Sequence, residues 1–226
     1  MSYSVLFIDG ENFMFKLEHV LKRSHVKVQE FDMSPVRFDS LFATVLSAYP
    51  TDRKIFYIAR LHVHKDEEEK SNELITLQKK LTDTLAGQGF EIVVAGNVRA
   101  QRIRMEKETK TVFREKGVDV QIAVDIVSQS ADHKIHTAVL CSSDSDLQPA
   151  VREAQSRSVK VVYLGFQMQP NKGLAHTADE TILIRNEDIL KACGITLVKR
   201  EKTPRSNRRQ TRITSGERRQ RRPKRM

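Results

Sequence analysis

Tryptophan is absent from these 226 residues, and cysteine occurs twice, at Cys141 and Cys193. Two cysteines exclude a disulfide scaffold, and Cys141, set in an apolar run, suits a reducing compartment. No stretch approaches the roughly 18 consecutive apolar residues that a membrane span needs, and no basic segment leads into a cleavable apolar one at the N-terminus. The expectation is a cytoplasmic protein with no membrane partner. Also missing are a P-loop, a G-x-G-x-x-G fingerprint and a G-x-S-x-G elbow, which removes the usual phosphate-loop and serine-hydrolase signatures. The histidine pair His62-x-His64 has no third ligand near it in sequence and reads as exposed loop rather than as a metal site.

The net positive charge comes from one end of the chain. The formal charge is +10, yet residues 199–226 hold 13 Lys and Arg against Glu201 and Glu217, which leaves 26 basic and 27 acidic residues in 1–198. The body is neutral and the tail carries the excess. With one isoleucine and no aromatic residue, the tail cannot bury enough apolar surface to offset the entropy of ordering. The sequence predicts a disordered Arg/Lys-rich arm that gains affinity for phosphate backbones by counterion release, through residues such as Arg208, Arg209, Arg218, Arg219, Arg221 and Arg222. The chain divides accordingly into one domain, 1–198, and a tail, 199–226; the 39% hydrophobic content supports a single substantial core.

Periodicity along the domain alternates between strand and helix. Val5 to Ile8 is a short apolar strand, and Asn12 to Leu21 changes to helical spacing. Ser34-Pro35 predicts a helix start, with one apolar face running to Tyr49 before Pro50. "KIFYIA" is a second strand, the acidic opening at Asp66 to Glu69 begins a helix that ends at Gly87, and "FEIVVAG" is a third strand. Asn97 to Lys116 breaks the rhythm: its alternating charges fit two exposed strands about a polar turn at Glu106 to Glu108, or an irregular excursion. Helices at Val118 to Ser128 and Leu147 to Gln155, strands at "TAVLCSS" and "KVVYLGF", then a short helix, a strand at Thr181 to Ile184 and a closing helix from Asn186 complete the order. Strands joined through helices pair in parallel with right-handed crossovers, so the expected fold is an α/β three-layer sandwich with a mainly parallel central sheet.

In such sheets ligands sit outside the carboxyl ends of the strands. That rule gathers several acids. Asp9-Gly10 would be a hairpin turn between two strands, but the residues that follow have helical spacing, so Asp9 stands at a strand end. Asp144 and Asp146, in "CSSDSDL", follow another strand. One of them would cap the next helix; two carboxylates one residue apart in one pocket repel unless a cation such as Mg²⁺ or Mn²⁺ joins them. Asp119 opens a helix after Gly117, and Asp125 lies about 240° further around it, so Asp119 is the site candidate and Asp125 a residue supporting it from behind.

Four stretches in order, "FIDGENF", "KGVDVQIAVDIV", "LCSSDSDLQPAVREAQSRSVKVVYLGF" and "LAHTADETILI", resemble the NYN domain, a LabA-like branch of the PIN-like nuclease superfamily, over residues 3–190. The resemblance implies a PIN-like, metal-dependent ribonuclease in which acids at several strand ends bind divalent metal. Carried over, Asp9, Asp119, Asp144 and Asp146 match the acidic motif positions, and Asn12 the polar residue after the first acid. Ser143 stands where many relatives have glycine before the third acid, a departure that bears on loop geometry and makes Ser143 a neighbour of the site.

Hydrolysing a phosphodiester builds negative charge on the phosphorane and leaving oxygens, which is what Mg²⁺ or Mn²⁺ among such carboxylates neutralises. RNA would then be held by cations before Asp119: Arg99, Arg102, Arg104, Lys107, Lys110, Arg114 and Lys116. The leading expectation is therefore a metal-dependent endoribonuclease. Two rivals remain. A Toprim-like or phosphatase-like metal site would want Glu after the first strand, or Asp-x-Asp directly after it. A non-catalytic RNA-binding or regulatory adapter would keep the fold and use the acids structurally. Whether a homodimer builds a longer groove is left open by the sequence.

Overall fold

The computed structural model describes residues 2–24, 35–64, 67–104 and 109–195, with the backbone alone for 99–104 and 109–115. The polar turn at Glu106 to Glu108 and the 199–226 tail lie outside the described residues. Fifteen elements follow one another along the described chain. They begin β1 (Tyr3–Asp9), α1 (Gly10–Arg23), α2 (Phe38–Val45), β2 (Arg53–Arg60), α3 (Glu68–Gly87), β3 (Glu91–Arg104) and β4 (Thr109–Lys116). After these come α4 (Val118–Ala131), β5 (Ile135–Cys141), a 3-10 turn (Ser145–Leu147), α5 (Gln148–Ser156), β6 (Lys160–Phe166), α6 (Lys172–Thr177), β7 (Glu180–Ile184) and α7 (Asn186–Ala192).

The strands make one sheet in the order β4-β3-β2-β1-β5-β6-β7. Six are parallel, and β4 runs antiparallel to β3 at the edge. Alternation along each strand feeds two cores. Leu6 and Ile8 of β1 face one side with Phe13, Phe38, Phe42, Leu85 and Phe166, beneath α1, α2, α3 and α7. Val5 and Phe7 face the other with Tyr57, Ile122, Leu147, Tyr163 and Leu174, beneath α4, α5 and α6. Phe13 anchors the first layer, its ring centroid 5.4–6.3 Å from those of Phe38, Phe42, Phe56 and Phe166; emptying such a position costs about 3–5 kcal/mol. The three-layer α/β sandwich is the expected one.

Strand order reverses beside β1: the chain leaves β1 towards β2 and β3, then returns to place β5 on its other flank. A crevice opens outside the carboxyl ends of two strands at such a reversal.

The Asn97 to Lys116 excursion is the two-stranded reading. β3 pairs with β2 up to Asn97 opposite Arg60, then continues with β4 alone, Arg99 opposite Arg114 and Arg104 opposite Thr109. One helix start differs from expectation. α2 begins at Phe38 and not at Ser34-Pro35, because the intervening backbone is taken by tertiary partners: Arg37 N–H donates to the Ala192 carbonyl and the Gln88 amide donates to the Val36 carbonyl. It also stops at Val45, ahead of Tyr49, whose position before Pro50 disfavours helical backbone.

Candidate active site

At the reversal β1 ends in Asp9, which continues the Val5-Phe7 face and is 3% exposed. Asp9 caps α1: its Oδ1 accepts from the Asn12 backbone N–H at 3.1 Å, and Oδ2 accepts from the Asn12 side-chain amide at 2.6 Å. Asp-Gly is thus a strand-to-helix junction and not a hairpin turn. Gly10 permits it, since a Cβ there would lie 2.4 Å from the Tyr57 carbonyl oxygen; the helix leaves the sheet against the backbone of β2.

The neighbouring strand supplies the next contact. Ile8 pairs with Cys141, so the residue after β5 stands beside Asp9, and Ser142 Oγ donates to Asp9 Oδ2 at 2.9 Å. Ser142 also accepts from the Asp144 N–H at 3.1 Å, and Asp144 Oδ1 accepts from the Asp146 N–H at 2.9 Å, capping the 3-10 turn. One chain of hydrogen bonds runs Asn12, Asp9, Ser142, Asp144, Asp146. Asn171, after β6, pins the same loop: its amide donates to the Ser143 carbonyl at 2.7 Å and to Ser145 Oγ at 2.8 Å, while its Oδ1 caps α6.

Asp119 lies in the first turn of α4, where Gly117 occupies the cap position at φ 95° and Asp119 makes no capping bond. β4 ends opposite Asn97, itself opposite Arg60 at the end of β2, so α4 starts at this same sheet edge, and it packs against the 3-10 turn. Asp125 has partners of its own. Its Oδ2 accepts from the buried Tyr57 hydroxyl at 2.8 Å and its Oδ1 from the Gln121 amide at 2.8 Å, which ties α4 to β2 and accounts for an acid among apolar neighbours. Of the expected RNA-contacting cations, Arg99, Arg102, Arg104 and Arg114 fall on the β3–β4 ladder, Lys116 is exposed at its base, and those of the tail lie outside the described residues. His62 is exposed, its Nε2 3.1 Å from the Asn97 amide oxygen.

Burial raises the Asp9 carboxyl above its ordinary value; the Asn12 N–H, the Ser142 hydroxyl and the Asn12 amide offset part of this, and Glu11 adds to it. No Lys or Arg among the described residues pairs with Asp9. The three donors use three of its roughly four acceptor positions, leaving one on Oδ1. The carboxylates of Asp119 and Asp146 accept nothing from the described residues. As they stand, no three Asp, Glu, His or Cys side chains among the described residues converge at ligating distance. The donors nonetheless suit a hard divalent cation in kind, being oxygens only, with a desolvated carboxylate that gains from a positive neighbour.

The motif reading points to Ser143 and passes over both Ser142 and Asn171. Strand alternation carries the signal for Ser142, which shares a face with Leu140. Asn171, directly after Pro170, has only a helix cap as its signature.

The NYN domain profile matches residues 4–190. The chain belongs to the NYN domain family. The NYN domain is a branch of the PIN-like nuclease superfamily, whose members generally use divalent metals. This NYN chain is similar to the uncharacterized protein MJ0482 of Methanocaldococcus jannaschii, 29% identical over 106 residues, covering 43% of this chain and 44% of that protein; it thus spans less than half of that relative's length. It is also similar to the crystal structure of a protein of unknown function, VPA0982 from Vibrio parahaemolyticus, at 18% identity and a TM-score of 0.47, covering 80% of this chain and 91% of that one. None of the helices in the described part of the NYN chain is long and apolar enough to cross a membrane.

Proposed function

We propose that this NYN domain, on its LabA-like branch, is a cytoplasmic metal-dependent endoribonuclease acting at the β1–β5 crevice. The observation that carries the reading is the buried Asp9 carboxylate, paired with no Lys or Arg among the described residues and linked through Ser142 to Asp144 at the point where strand order reverses. A structural acid gains little from desolvation without a basic partner. A ligand for a hard cation does.

Asp9, Asp144, Asp146 and Asp119 would hold Mg²⁺ or Mn²⁺. The ion supplies, when bound, a water of lowered pKa and a countercharge for the phosphorane oxygens. The chain's own residues set the frame. Asn12 and Ser142 fix the orientation of the Asp9 carboxylate, so it is not free to rotate as charge develops. Asn171 holds the loop that bears Asp144 and Asp146. Asp119, at the start of α4, is assigned to complete the ligand set or orient the attacking water. Cations on the β3–β4 ladder and the 199–226 tail would bind the phosphate backbone of RNA.

A non-catalytic RNA-binding adapter is favoured by one observation: Asp9 and Asp144 each cap a helical turn, a sufficient structural role. End-labelled RNA and matched single-stranded DNA incubated with Mn²⁺, Mg²⁺ or EDTA, beside Asp9→Asn, separate the two. Metal-dependent RNA cleavage lost in the variant supports the nuclease; RNA binding without cleavage under any metal selects the adapter.

A further inference from the structure

We infer that Lys16 is a phosphate-binding residue for the RNA strand, on the β6 side of the Asp9 centre. α1 leaves the sheet edge at Gly10, and Asn12 and Lys16 lie one turn apart on one of its faces. Side chains of a helix lean towards its N-terminus, so the Lys16 stem, 9% exposed as a residue, carries its ammonium back towards that edge. There Nζ donates to Gln169 Oε1 at 2.9 Å. Gln169 is exposed and stands three residues after Phe166, in the loop that continues to Asn171.

The partner is the unusual feature. Elsewhere among the described residues, surface Lys and Arg side chains such as Lys22, Arg53, Lys160 and Arg185 meet carboxylates. Lys16 is withdrawn from water, and it meets a neutral amide instead. No carboxylate among the described residues pairs with it. Two of its three N–H donors remain, and the Gln169 Nε2 amide adds further donors. Clustered donors beside a cation with no carboxylate partner among the described residues suit the non-bridging oxygens of a phosphodiester. A small pocket lined by Asn12, Ser142, Ser143, Gly165 and Phe166 lies between the two residues that bond to Asp9 and the end of β6, where Gln169 follows. A strand crossing this sheet edge would set one phosphate at the acids and a neighbouring phosphate at Lys16. This residue binds and positions the strand; it takes no part in proton transfer.

The identity of the anion rests on the ribonuclease reading, so the test reads binding apart from cleavage. Fluorescence anisotropy of a labelled single-stranded RNA in EDTA is followed against salt for the wild-type chain, Lys16→Met, Lys16→Arg, Gln169→Glu and Lys22→Met. Lys16→Met keeps the apolar stem; Gln169→Glu gives the ammonium a built-in anion at an exposed position. Both are expected to weaken binding about tenfold and to lower the slope of log K against log salt by about 0.7. Lys16→Arg keeps most of the affinity, and Lys22→Met, which removes an exposed lysine paired with Glu18, leaves it unchanged. Wild-type affinity and slope in a folded Lys16→Met, or in Gln169→Glu should Lys16→Met fail to fold, overturn the assignment. If the wild-type chain binds RNA without cutting it, the nuclease reading falls while these same shifts still decide the role of Lys16.

Discussion

The hydroxyl of Ser142 donates to Asp9 at 2.9 Å across 133 residues of sequence, joining the ends of two adjacent parallel strands at the one place where the strand order reverses. Ser142→Ala removes that donor from a buried carboxylate and leaves the Asp144 N–H without its acceptor. We expect a loss of about 1–3 kcal/mol in urea unfolding. RNA cleavage should fall by at least about tenfold, because both linked acids lose their frame. Wild-type cleavage in Ser142→Ala would mean that Asp9 is positioned by Asn12 alone.

The raised Asp9 carboxyl makes stability depend on pH in a defined direction. Its folded-state value lies above the ordinary 3.8 because burial disfavours the charge. The folded state therefore keeps the proton longer, and the favourable contribution is complete below 3.8 and lost as pH rises through the folded value. Asp9→Asn deletes this dependence. The stability of the variant relative to wild type should rise as pH is raised from 3.8 and then level off, measured by urea unfolding at stepped pH. Mn²⁺ should narrow the gap by stabilising only the wild type. A difference flat across pH would refute a perturbed Asp9.

Much of this architecture is legible from periodicity. The helical spacing after Asp9-Gly10 distinguishes a strand end from a hairpin, while the alternation in Asn97 to Lys116 admits the β3–β4 ladder as one of two readings. Asp9 and Asp144 fall at one sheet edge because parallel strands end together, and Asp119 reaches it because the antiparallel β4 returns to Asn97, opposite the end of β2. What escapes depends on register and on tertiary partners. Ser142 rather than its neighbour Ser143 reaches Asp9, and that is settled by Ile8 pairing with Cys141. The start of α2 moves from Pro35 to Phe38 because Gln88 and Ala192, far along the chain, claim the backbone between. Asp125 reads in sequence as a helper of the site, but its partner is evident only once Tyr57 is located across the sheet.

Gly10→Ala tests the junction itself. The added methyl would meet the Tyr57 carbonyl at 2.4 Å and the Phe56 ring at 2.5 Å, and the backbone contact has no rotamer to relieve it. Overpacking of this kind costs about 1–3 kcal/mol. The start of α1 must shift, carrying Asn12 away from Asp9, so cleavage should fall more steeply than the melting temperature. Parallel loss of both would indicate general unfolding instead.

Asp125→Ala leaves the Tyr57 hydroxyl buried without its acceptor and is expected to cost about 1–3 kcal/mol. Asp125→Asn, which keeps an acceptor, should cost less. Burial and the Asp125 charge both raise the Tyr57 hydroxyl, so it stays protonated and donating at any working pH. Neither variant should change metal dependence or the cleavage rate of the folded fraction; a rate loss of about a hundredfold in a stable Asp125→Asn would return this acid to the site.

Truncation after residue 198 removes 13 Lys and Arg with 2 Glu while leaving Asp9, Asp119, Asp144 and Asp146 in place. Each phosphate of a single strand that the tail no longer neutralises lowers the salt slope of binding by about 0.7. Tail contacts of this kind are sequence-independent, and the four acids all belong to the domain, so KM for RNA should rise and the slope flatten while kcat holds. An unchanged slope would assign RNA affinity to the body. A fall in kcat as well would mean that the tail acts on the bound phosphate itself and not only on capture of the strand.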